Sequence, residues 1–207
     1  MEIIMSYKII LASASPRRNE ILKNIGLEFE VVPSDADESI IDGSEIPINL
    51  YVQELALLKA TDVVNKITDK ENVLIIGADT VVYSDGDILG KPHNKTEAYQ
   101  MMHGLSGKYH EVYTGFAVVN ASTLESVCGY EKTGVKFAEL DDTIINDYIS
   151  TFEPYDKAGG YGIQGKGAIL VEKIDGDYLN VVGLPARKLL LALYENYGIN
   201  IINSERN

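Results

Sequence analysis

The stretch VLIIGADT, residues 73–80, places four consecutive apolar residues before a glycine, an alanine and a carboxylate. An unbroken apolar run of this length is typical of a strand that is buried on both faces. Ligand sites of α/β sheets lie at the carboxyl ends of such strands, so the side chain of Asp79 is expected to point into a crevice. Asp79 is therefore a candidate metal ligand or general base. Capping of the turn into Val81 is the alternative role for the same carboxylate.

Strands and helices alternate on the N-terminal side of this stretch. Residues 8–12 and 29–32 are predicted strands, and between them a helix is expected to begin at Pro16 and to end at Gly26. A long amphipathic helix is expected to open at Pro47. This alternation predicts an α/β fold.

The second half of the chain is richer in β-type segments. Two β-rich runs, residues 112–119 and 124–137, follow each other across a short polar connection and predict antiparallel pairing. Residues 169–174 and 178–182 flank Asp175-Gly176, which predicts a further pair of strands joined by a turn. The sheet is therefore expected to be mixed.

Length and composition limit the class of protein. The 207 residues show no internal repeat and no Pro/Ser-rich linker, so residues 1–207 are expected to form a single domain. The 18 Lys and Arg residues against 31 Asp and Glu give a net charge of −13, which disfavours long nucleic acid and anionic membranes as partners. No apolar run approaches the roughly 20 residues of a membrane helix, and no signal peptide is evident. We expect a soluble, cytoplasmic protein.

Cysteine and histidine are scarce, with one Cys and three His residues. A zinc site built from these side chains is almost excluded, so any bound metal is expected to have oxygen ligands. No Ser-His-Asp or Cys-His set stands out, and His110 is expected to be structural.

A second candidate segment, SASPRR at residues 13–18, lies between a predicted strand and a predicted helix. A helix N-terminus offers unpaired N–H groups and about half a positive charge, and neighbouring hydroxyls and guanidiniums complete a site for an anion. Ser13, Arg17 and Arg18 are therefore candidate phosphate-binding residues. In the alternative interpretation, Ser15 is only an N-cap and the arginines are solvated, although the helix dipole disfavours arginine at this end.

Charged side chains also follow other predicted elements. The run SDADE, residues 34–38, suits Mg²⁺ or Mn²⁺, which prefer carboxylate oxygens, but it is equally typical of a solvated loop. Lys59, in an apolar helical stretch, and Lys91, before Pro92, are cations in an acidic protein and are suited to neutralising a polyphosphate. Lysines that extend from an apolar face to solvent would give the same pattern.

A glycine-rich segment, DKAGGYGIQGKG, occupies residues 156–167. It is not a P-loop, because Gly167 stands where a Ser or Thr would bind Mg²⁺. Five glycines in nine positions predict a backbone that approaches another group closely, with Tyr161 and Gln164 able to stack on or hydrogen-bond to a base. A glycine-rich surface turn is the alternative.

Together these segments resemble the Maf family of nucleoside triphosphate pyrophosphatases nearly from end to end. The motifs that carry the resemblance are SASPRR (13–18), Leu55-Ala56, Lys59-Ala60, GADT (77–80), GKP (90–92), LSG (105–107), Thr114-Gly115, DKAG (156–159), YGIQG (161–165) and VGLP (182–185). The resemblance implies a bilobal α/β fold like that of inosine triphosphate pyrophosphatases (Maf/HAM1), with a long mixed β-sheet flanked by helices and an active cleft between the lobes. It also implies the hydrolysis of a nucleoside triphosphate to the monophosphate and pyrophosphate.

Three positions indicate a branch of the family. Arg17, Thr80 and Gln164 resemble the branch that acts on dTTP and UTP, whereas the branch that acts on 7-methyl-GTP carries Trp, Gln and Glu at the matching positions. A glutamine amide can both donate to and accept from the O4 and N3–H edge of uracil or thymine. A glutamate would instead suit the cationic methylated guanine.

The resemblance also implies the roles of the remaining residues. Asp79 is expected to be the general base and, with Glu38, a ligand of Mg²⁺ or Mn²⁺; Asp37 is the alternative to Glu38. The positive charges that neutralise the triphosphate are expected to come from Arg17, Arg18, Lys59 and Lys91. The hydroxyl of Ser13 is expected to donate a hydrogen bond to a phosphate oxygen. A homodimer is a reasonable expectation for the family.

Two other functions are alternatives. The family is named for an effect on septum formation, so the chain is alternatively a nucleotide-sensing regulator of cell division with incidental hydrolysis. A metal-dependent phosphomonoesterase that uses the same metal site is the second alternative. Retention of Asp79, Lys59 and Lys91 argues against an inactive sensor.

Overall fold

The computed structural model describes residues 7–202, which form seven β-strands and six α-helices connected by turns and short 3₁₀ segments. In chain order these elements are β1 (Lys8–Leu11), α1 (Pro16–Asn24), β2 (Glu30–Val31), α2 (Ile48–Lys66), β3 (Val73–Ser84), β4 (Asp87–Leu89), α3 (Lys95–Leu105), β5 (Tyr109–Asn120), β6 (Ser126–Phe137), α4 (Asp142–Ile149), β7 (Val171–Asp175), α5 (Tyr178–Val182) and α6 (Ala186–Tyr197). The ends of the expected domain, residues 1–6 and 203–207, lie outside the described residues.

The strands of residues 7–202 form one mixed sheet in the order β2-β1-β3-β5-β6-β7, with β4 paired to β3. Strand β1 runs parallel to both β2 and β3, and Ile10 is opposite Ile75. These parallel pairs need crossover connections, which α1 and α2 supply. Strands β4 and β7 pair antiparallel with β3 and β6. The expected α/β fold with a mixed sheet is confirmed.

The chain divides into two compact units. The first contains Met1–Asp79, Thr114–Glu131 and Gly183–Asn207, and the second contains Thr80–Tyr113 and Lys132–Val182. Among residues 7–202, none of the helices has both the length and the apolarity that a membrane span requires.

Each unit has its own apolar core. In the first, side chains of β1, α2 and β3 pack together, including Ile10, Val63 and Ile75, all nearly inaccessible to solvent. In the second, side chains of α3, α4, β5 and β6, among them Phe137, cluster with Leu170 of the 3₁₀ segment that precedes β7. Burial of large apolar side chains supplies most of the free energy that holds such elements together.

Two predictions about strands are wrong. Strand β3 does not end before Gly77 but continues to Ser84, so Asp79 lies within a strand rather than after one. Residues 178–182 form helix α5 rather than a strand. The carboxylate of Asp177 accepts a hydrogen bond from the backbone N–H of Leu179 at 2.8 Å, which favours a helical start over an extended strand.

Candidate active site

Helix α2 lies directly against the sheet at two glycines. A Cβ atom at Gly77 would lie 2.1 Å from the carbonyl oxygen of Ala56, and one at Gly115 would lie 2.2 Å from that of Val52. No side chain fits at either position, so only glycine allows the helix backbone to approach β3 and β5 this closely. The glycines of two family-like motifs therefore set the distance between α2 and the strand that carries the candidate base.

This close packing brings Lys59 of α2 between two carboxylates. Its ammonium lies 2.5 Å from Oδ1 of Asp79 and 2.9 Å from Oε1 of Glu38. The side chains of Lys59 and Asp79 are only 14% and 11% exposed, whereas that of Glu38 is 52% exposed. We call these three residues the charged centre. The charged centre is accessible to solvent mainly through Glu38.

Ser13 and Arg18 join the end of β1 to the start of α1. Arg18 Nη1 and the backbone N–H of Ser15 each donate to Oγ of Ser13 at 3.2 Å. Arg18 Nε donates to the carbonyl oxygen of Gly183 at 2.8 Å, which fixes the guanidinium. Ser13 is buried, with 7% of its surface exposed. The segment SASPRR is therefore held by its own side chains and by the VGLP segment.

The electrostatics of Asp79 combine burial with two nearby cations. Burial raises the pKa of Asp79 above its ordinary value of 3.8, while the positive charges of Lys59 and Arg18 oppose that rise. Burial also lowers the pKa of Arg18, and the charge of Asp79 opposes this in turn. A carboxylate with a raised pKa is a stronger base than one in water, and the neighbouring cations favour its charged form.

The acidic run is divided between structural and site roles. Asp37 accepts hydrogen bonds from the backbone N–H and the hydroxyl of Ser39, at 3.0 and 2.7 Å, and so begins the 3₁₀ turn. Asp35 pairs with Lys66 at 2.8 Å, away from the charged centre. Only Glu38 of this run contacts Lys59.

The charged centre fits a divalent cation only in part. Residues 7–202 contain no group of three or more His, Cys, Asp or Glu side chains that could hold a metal ion. Glu38 and Asp79 nevertheless offer two carboxylates, and Mg²⁺ is commonly held by one or two carboxylates together with water and substrate phosphates. The donor set therefore fits a cation that arrives with a triphosphate, not a closed protein cage.

The predicted site residues fall in both units. Ser13, Arg17, Arg18, Glu38, Lys59 and Asp79 belong to the first unit, where Ser13 bonds to Arg18 and Lys59 joins Glu38 to Asp79. Arg17 is in the first turn of α1 and is partly buried. Three others belong to the second unit: Thr80 follows Asp79 on β3, and Lys91 and Gln164 are exposed on connecting segments.

Tyr161 does not have the base-stacking role that the sequence suggested. It is only 5% exposed, and its hydroxyl lies 2.6 Å from Nε2 of His110. Its ring packs edge-to-face against Phe137. A ring enclosed in this way has no free face on which a base could stack.

Sequence reasoning missed two residues near the charged centre. Tyr51 of α2 has a raised pKa because of partial burial and the negative charges of Asp79 and Glu38. It precedes Lys59 by eight residues, so helical spacing on one face could have identified it. The carbonyl group of Gly183, which holds Arg18, carries no side-chain signal, because any residue has a backbone oxygen.

The chain is similar to known proteins over nearly its whole length. A family model described as Maf-like protein matches residues 8–196. A dTTP/UTP pyrophosphatase of Acetivibrio thermocellus is 50% identical over 199 residues, which cover 94% of this chain and 98% of the relative. A protein of the same name from Alkaliphilus oremlandii is 50% identical over 195 residues, with 94% and 99% covered. One from Clostridium tetani is 48% identical, with 93% and 98% covered.

Among solved structures, the Ham1 protein of Staphylococcus aureus shares 12% sequence identity, with a TM-score of 0.45 over 64% of this chain and 72% of that chain. The family model spans nearly all of the chain, and the relatives are similar over almost their whole length. The chain belongs to the Maf family.

Proposed function

We propose that this protein is a nucleoside triphosphate pyrophosphatase that hydrolyses dTTP and UTP to the monophosphate and pyrophosphate. The observation that carries the proposal is the charged centre, in which the buried Asp79 and the more exposed Glu38 share the ammonium of Lys59. The names of the relatives, dTTP/UTP pyrophosphatases at 48–50% identity, support the same substrates.

Ser13 is suited to donate a hydrogen bond to a phosphate oxygen. Its hydroxyl oxygen accepts from the N–H of Ser15 and from Arg18, so both bonds use lone pairs and leave the hydroxyl hydrogen available. The N-terminus of α1 and the charge of Arg17 lie in the same segment. In this proposal Arg18, Lys59 and Lys91 supply the remaining positive charge that a triphosphate needs in a protein of net charge −13.

Glu38 and Asp79 are the residues that would hold Mg²⁺ or Mn²⁺. When bound, such a cation neutralises part of the charge on the phosphate oxygens. Glu38 is preferred over Asp37, because Asp37 is engaged in the 3₁₀ turn and Glu38 contacts Lys59.

The choice of Glu38 rather than Asp37 as a metal ligand can be tested directly. We expect Glu38→Gln to weaken Mn²⁺ binding in the presence of a non-hydrolysable nucleotide by roughly tenfold, because one of two carboxylate ligands is lost. Asp37→Asn is the matched control and should leave the affinity within about twofold. Electron paramagnetic resonance of Mn²⁺ measures both without turnover. The opposite ranking of the two variants would transfer the ligand role to Asp37.

Asp79 is proposed to accept the proton of the attacking water. Its raised pKa makes it a better base than a solvated carboxylate, and the positive charges of Lys59 and Arg18 favour its charged form. The water oxygen forms a bond to the α-phosphorus as the bond from that phosphorus to the bridging oxygen breaks. Pyrophosphate leaves with the electron pair of that bond, and Asp79 retains the proton from water.

Recognition of the base is assigned to Gln164, with Arg17 and Thr80. Gln164 is exposed on the glycine-rich segment, which supports its availability to a ligand. Its amide can donate to O4 and accept from N3–H of a pyrimidine, and a site built to pair with a base edge rejects a base that cannot complete the pairing. Cytoplasmic location, a homodimer and a single functional domain over residues 1–207 are further predictions of the same proposal.

The test is a product assay on the purified protein with Mg²⁺ or Mn²⁺ and dTTP, UTP or 7-methyl-GTP. We expect pyrophosphate release from the first two nucleotides and little from the third. Release of orthophosphate instead would indicate a phosphomonoesterase, and release of neither product would favour a nucleotide sensor connected with septum formation. Preference for 7-methyl-GTP would refute the assigned base recognition and leave the chemistry intact.

A further inference from the structure

The glycine-rich segment of the second unit is anchored by a buried hydrogen bond. His110 of β5 is 3% exposed and Tyr161 is 5% exposed, and His110 Nε2 lies 2.6 Å from the Tyr161 hydroxyl. Phe137 of β6 packs edge-to-face on both rings, with centroid distances of 5.0 Å to His110 and 4.7 Å to Tyr161. We call His110 and Tyr161 the buried pair. Water is largely excluded from it, so the two polar groups depend on each other.

The direction of this hydrogen bond follows from the available partners. Nδ1 of His110 has no hydrogen-bond partner within residues 7–202. If the Tyr161 hydroxyl donates to Nε2, the imidazole carries its hydrogen on Nδ1, and that one hydrogen is unsatisfied. If Nε2 donated instead, a bare Nδ1 and the hydroxyl hydrogen of Tyr161 would both be left unsatisfied. Donation by Tyr161 is therefore favoured.

Burial keeps both partners neutral, which this bond requires. It lowers the pKa of His110 to about 4 and raises the pKa of Tyr161 above its ordinary value of 10.0. At neutral pH the imidazole therefore has a lone pair on Nε2 and the phenol retains its hydrogen.

The segment is held on both sides of its exposed tip. Immediately after Tyr161, the backbone N–H of Gly162 donates to the hydroxyl of Tyr148 at 3.2 Å. On the far side, the backbone N–H of Lys166 donates to a carboxylate oxygen of Glu153 at 3.4 Å. Gln164 lies between these two anchors and is exposed. The orientation of its amide therefore depends on where the anchors place the backbone.

We propose that His110 is a positioning residue for base recognition: its Nε2 accepts the hydroxyl hydrogen of Tyr161, and this bond holds the backbone from which Gln164 reaches the pyrimidine. The role rests on the proposed function, because it assigns Gln164 to the base. It extends that function to two residues that contact neither substrate nor metal. Loss of the bond should affect the binding of the correct base and leave the chemical step unchanged.

Conservative variants separate the hydrogen bond from the packing. Tyr161→Phe keeps the ring and removes the hydroxyl, and His110→Leu removes the acceptor. We expect each to raise KM for dTTP and UTP by roughly 3- to 10-fold, with kcat within about twofold, and to reduce the preference for dTTP over 7-methyl-GTP. His110→Gln is the matched control, because its amide oxygen can occupy the place of Nε2, and it should restore KM to near the wild-type value.

A second measurement tests the bond without catalysis. In protein with ¹⁵N-labelled histidine at pH 7, the His110 ring is expected to show a protonated Nδ1 and a bare, hydrogen-bonded Nε2, and Tyr161→Phe should shift the Nε2 resonance. A protonated Nε2 in the wild-type protein would overturn the proposal even if a variant failed to fold. So would unchanged KM and selectivity in folded Tyr161→Phe. Failure of the proposed function is a different result, because the wild-type protein would then release no pyrophosphate from dTTP or UTP.

Discussion

The charged centre of the first unit and the buried pair of the second enclose ionisable groups in different ways. In the charged centre, Asp79 is desolvated but lies beside the cations Lys59 and Arg18, which oppose the effect of burial on its pKa. In the buried pair, burial is the main cause of both shifts and the sole cause for His110, whose pKa falls to about 4. Asp79 therefore has neighbouring positive charges that favour its charged form, whereas His110 is neutral near neutral pH.

The two arrangements are suited to different tasks. A buried charge with opposing charges beside it can exchange partners with a charged ligand, so it is suited to phosphate chemistry. A buried neutral pair has one preferred geometry and little interaction with a distant charge, so it is suited to holding a backbone in place. Burying the polar groups of either arrangement costs free energy, so each group depends on its hydrogen-bond or ion-pair partner.

The largest expected effect comes from removing the proposed base. Asp79→Asn keeps the size of the side chain and removes its negative charge, and we expect kcat to fall by roughly 10²- to 10⁴-fold, the usual contribution of a general base. In the wild-type protein, the acid limb of the pH profile of kcat/KM should lie above pH 3.8, because burial raises the pKa of Asp79. Pyrophosphate release measured from pH 4 to 8 checks both. Normal turnover by Asp79→Asn would exclude the base role.

Removing the cation from the charged centre should destabilise the fold. Lys59→Met leaves Asp79 buried without its nearest partner, and we expect the free energy of unfolding to fall by about 3 kcal/mol, at the low end for a broken buried ion pair because Arg18 remains nearby. Lys66→Met on the same helix is the matched control and should cost far less, since Lys66 pairs with Asp35 and Asp62 near the surface. Urea denaturation measures both values. Equal losses of unfolding free energy in Lys59→Met and Lys66→Met would contradict the distinction between a buried and a surface ion pair.

The buried pair predicts a particular dependence of stability on pH. His110 has a folded pKa of about 4 against an ordinary value of 6.5, so the unfolded chain binds more protons between these pH values. The stabilisation is complete above pH 6.5 and is lost as the pH falls toward 4, at a cost of about 3 kcal/mol between pH 7 and 4. His110→Gln cannot titrate and should lack this component. Thermal unfolding of both proteins across the range measures the difference, and parallel pH curves would refute it.

The smallest effect is expected at the exposed end of the acidic run. Asp35 is 87% exposed and pairs with Lys66 outside the charged centre. Asp35→Asn should change the free energy of unfolding by less than about 1 kcal/mol and leave pyrophosphate release within about twofold. A large loss of activity would mean that the acidic run acts as a whole rather than through Glu38.

Much of the first unit could be predicted from local sequence signals. Pro16 and Gly26 indicated where α1 begins and where the chain leaves it, and Pro47 indicated the start of α2, because proline and glycine restrict or release the backbone wherever they occur. The motifs also predicted membership of the Maf family, and the family model confirms that membership.

Long-range contacts limited the other predictions. The continuation of β3 through Gly77 could not be predicted from its own residues, because it depends on the strands that pair with β3. The short apolar run of residues 178–182 is compatible with both a strand and a helix, and the cap from Asp177 favours the helix. The sequence position of Tyr161 does not show that the ring of Phe137 packs against it.

The amino-acid sequence was sufficient to predict the α/β class, the mixed sheet and the helix starts at prolines, and to propose the candidate site residues. These properties depend on local patterns of apolar residues, on backbone restrictions and on the motifs themselves. Which of those side chains meet depends on how the helices and strands pack in three dimensions. Lys59 reaches Asp79 across 20 residues of sequence because Gly77 lets α2 lie against β3, and His110 meets Tyr161 across 51 residues. Such pairings depend on packing between distant segments, which no local pattern contains.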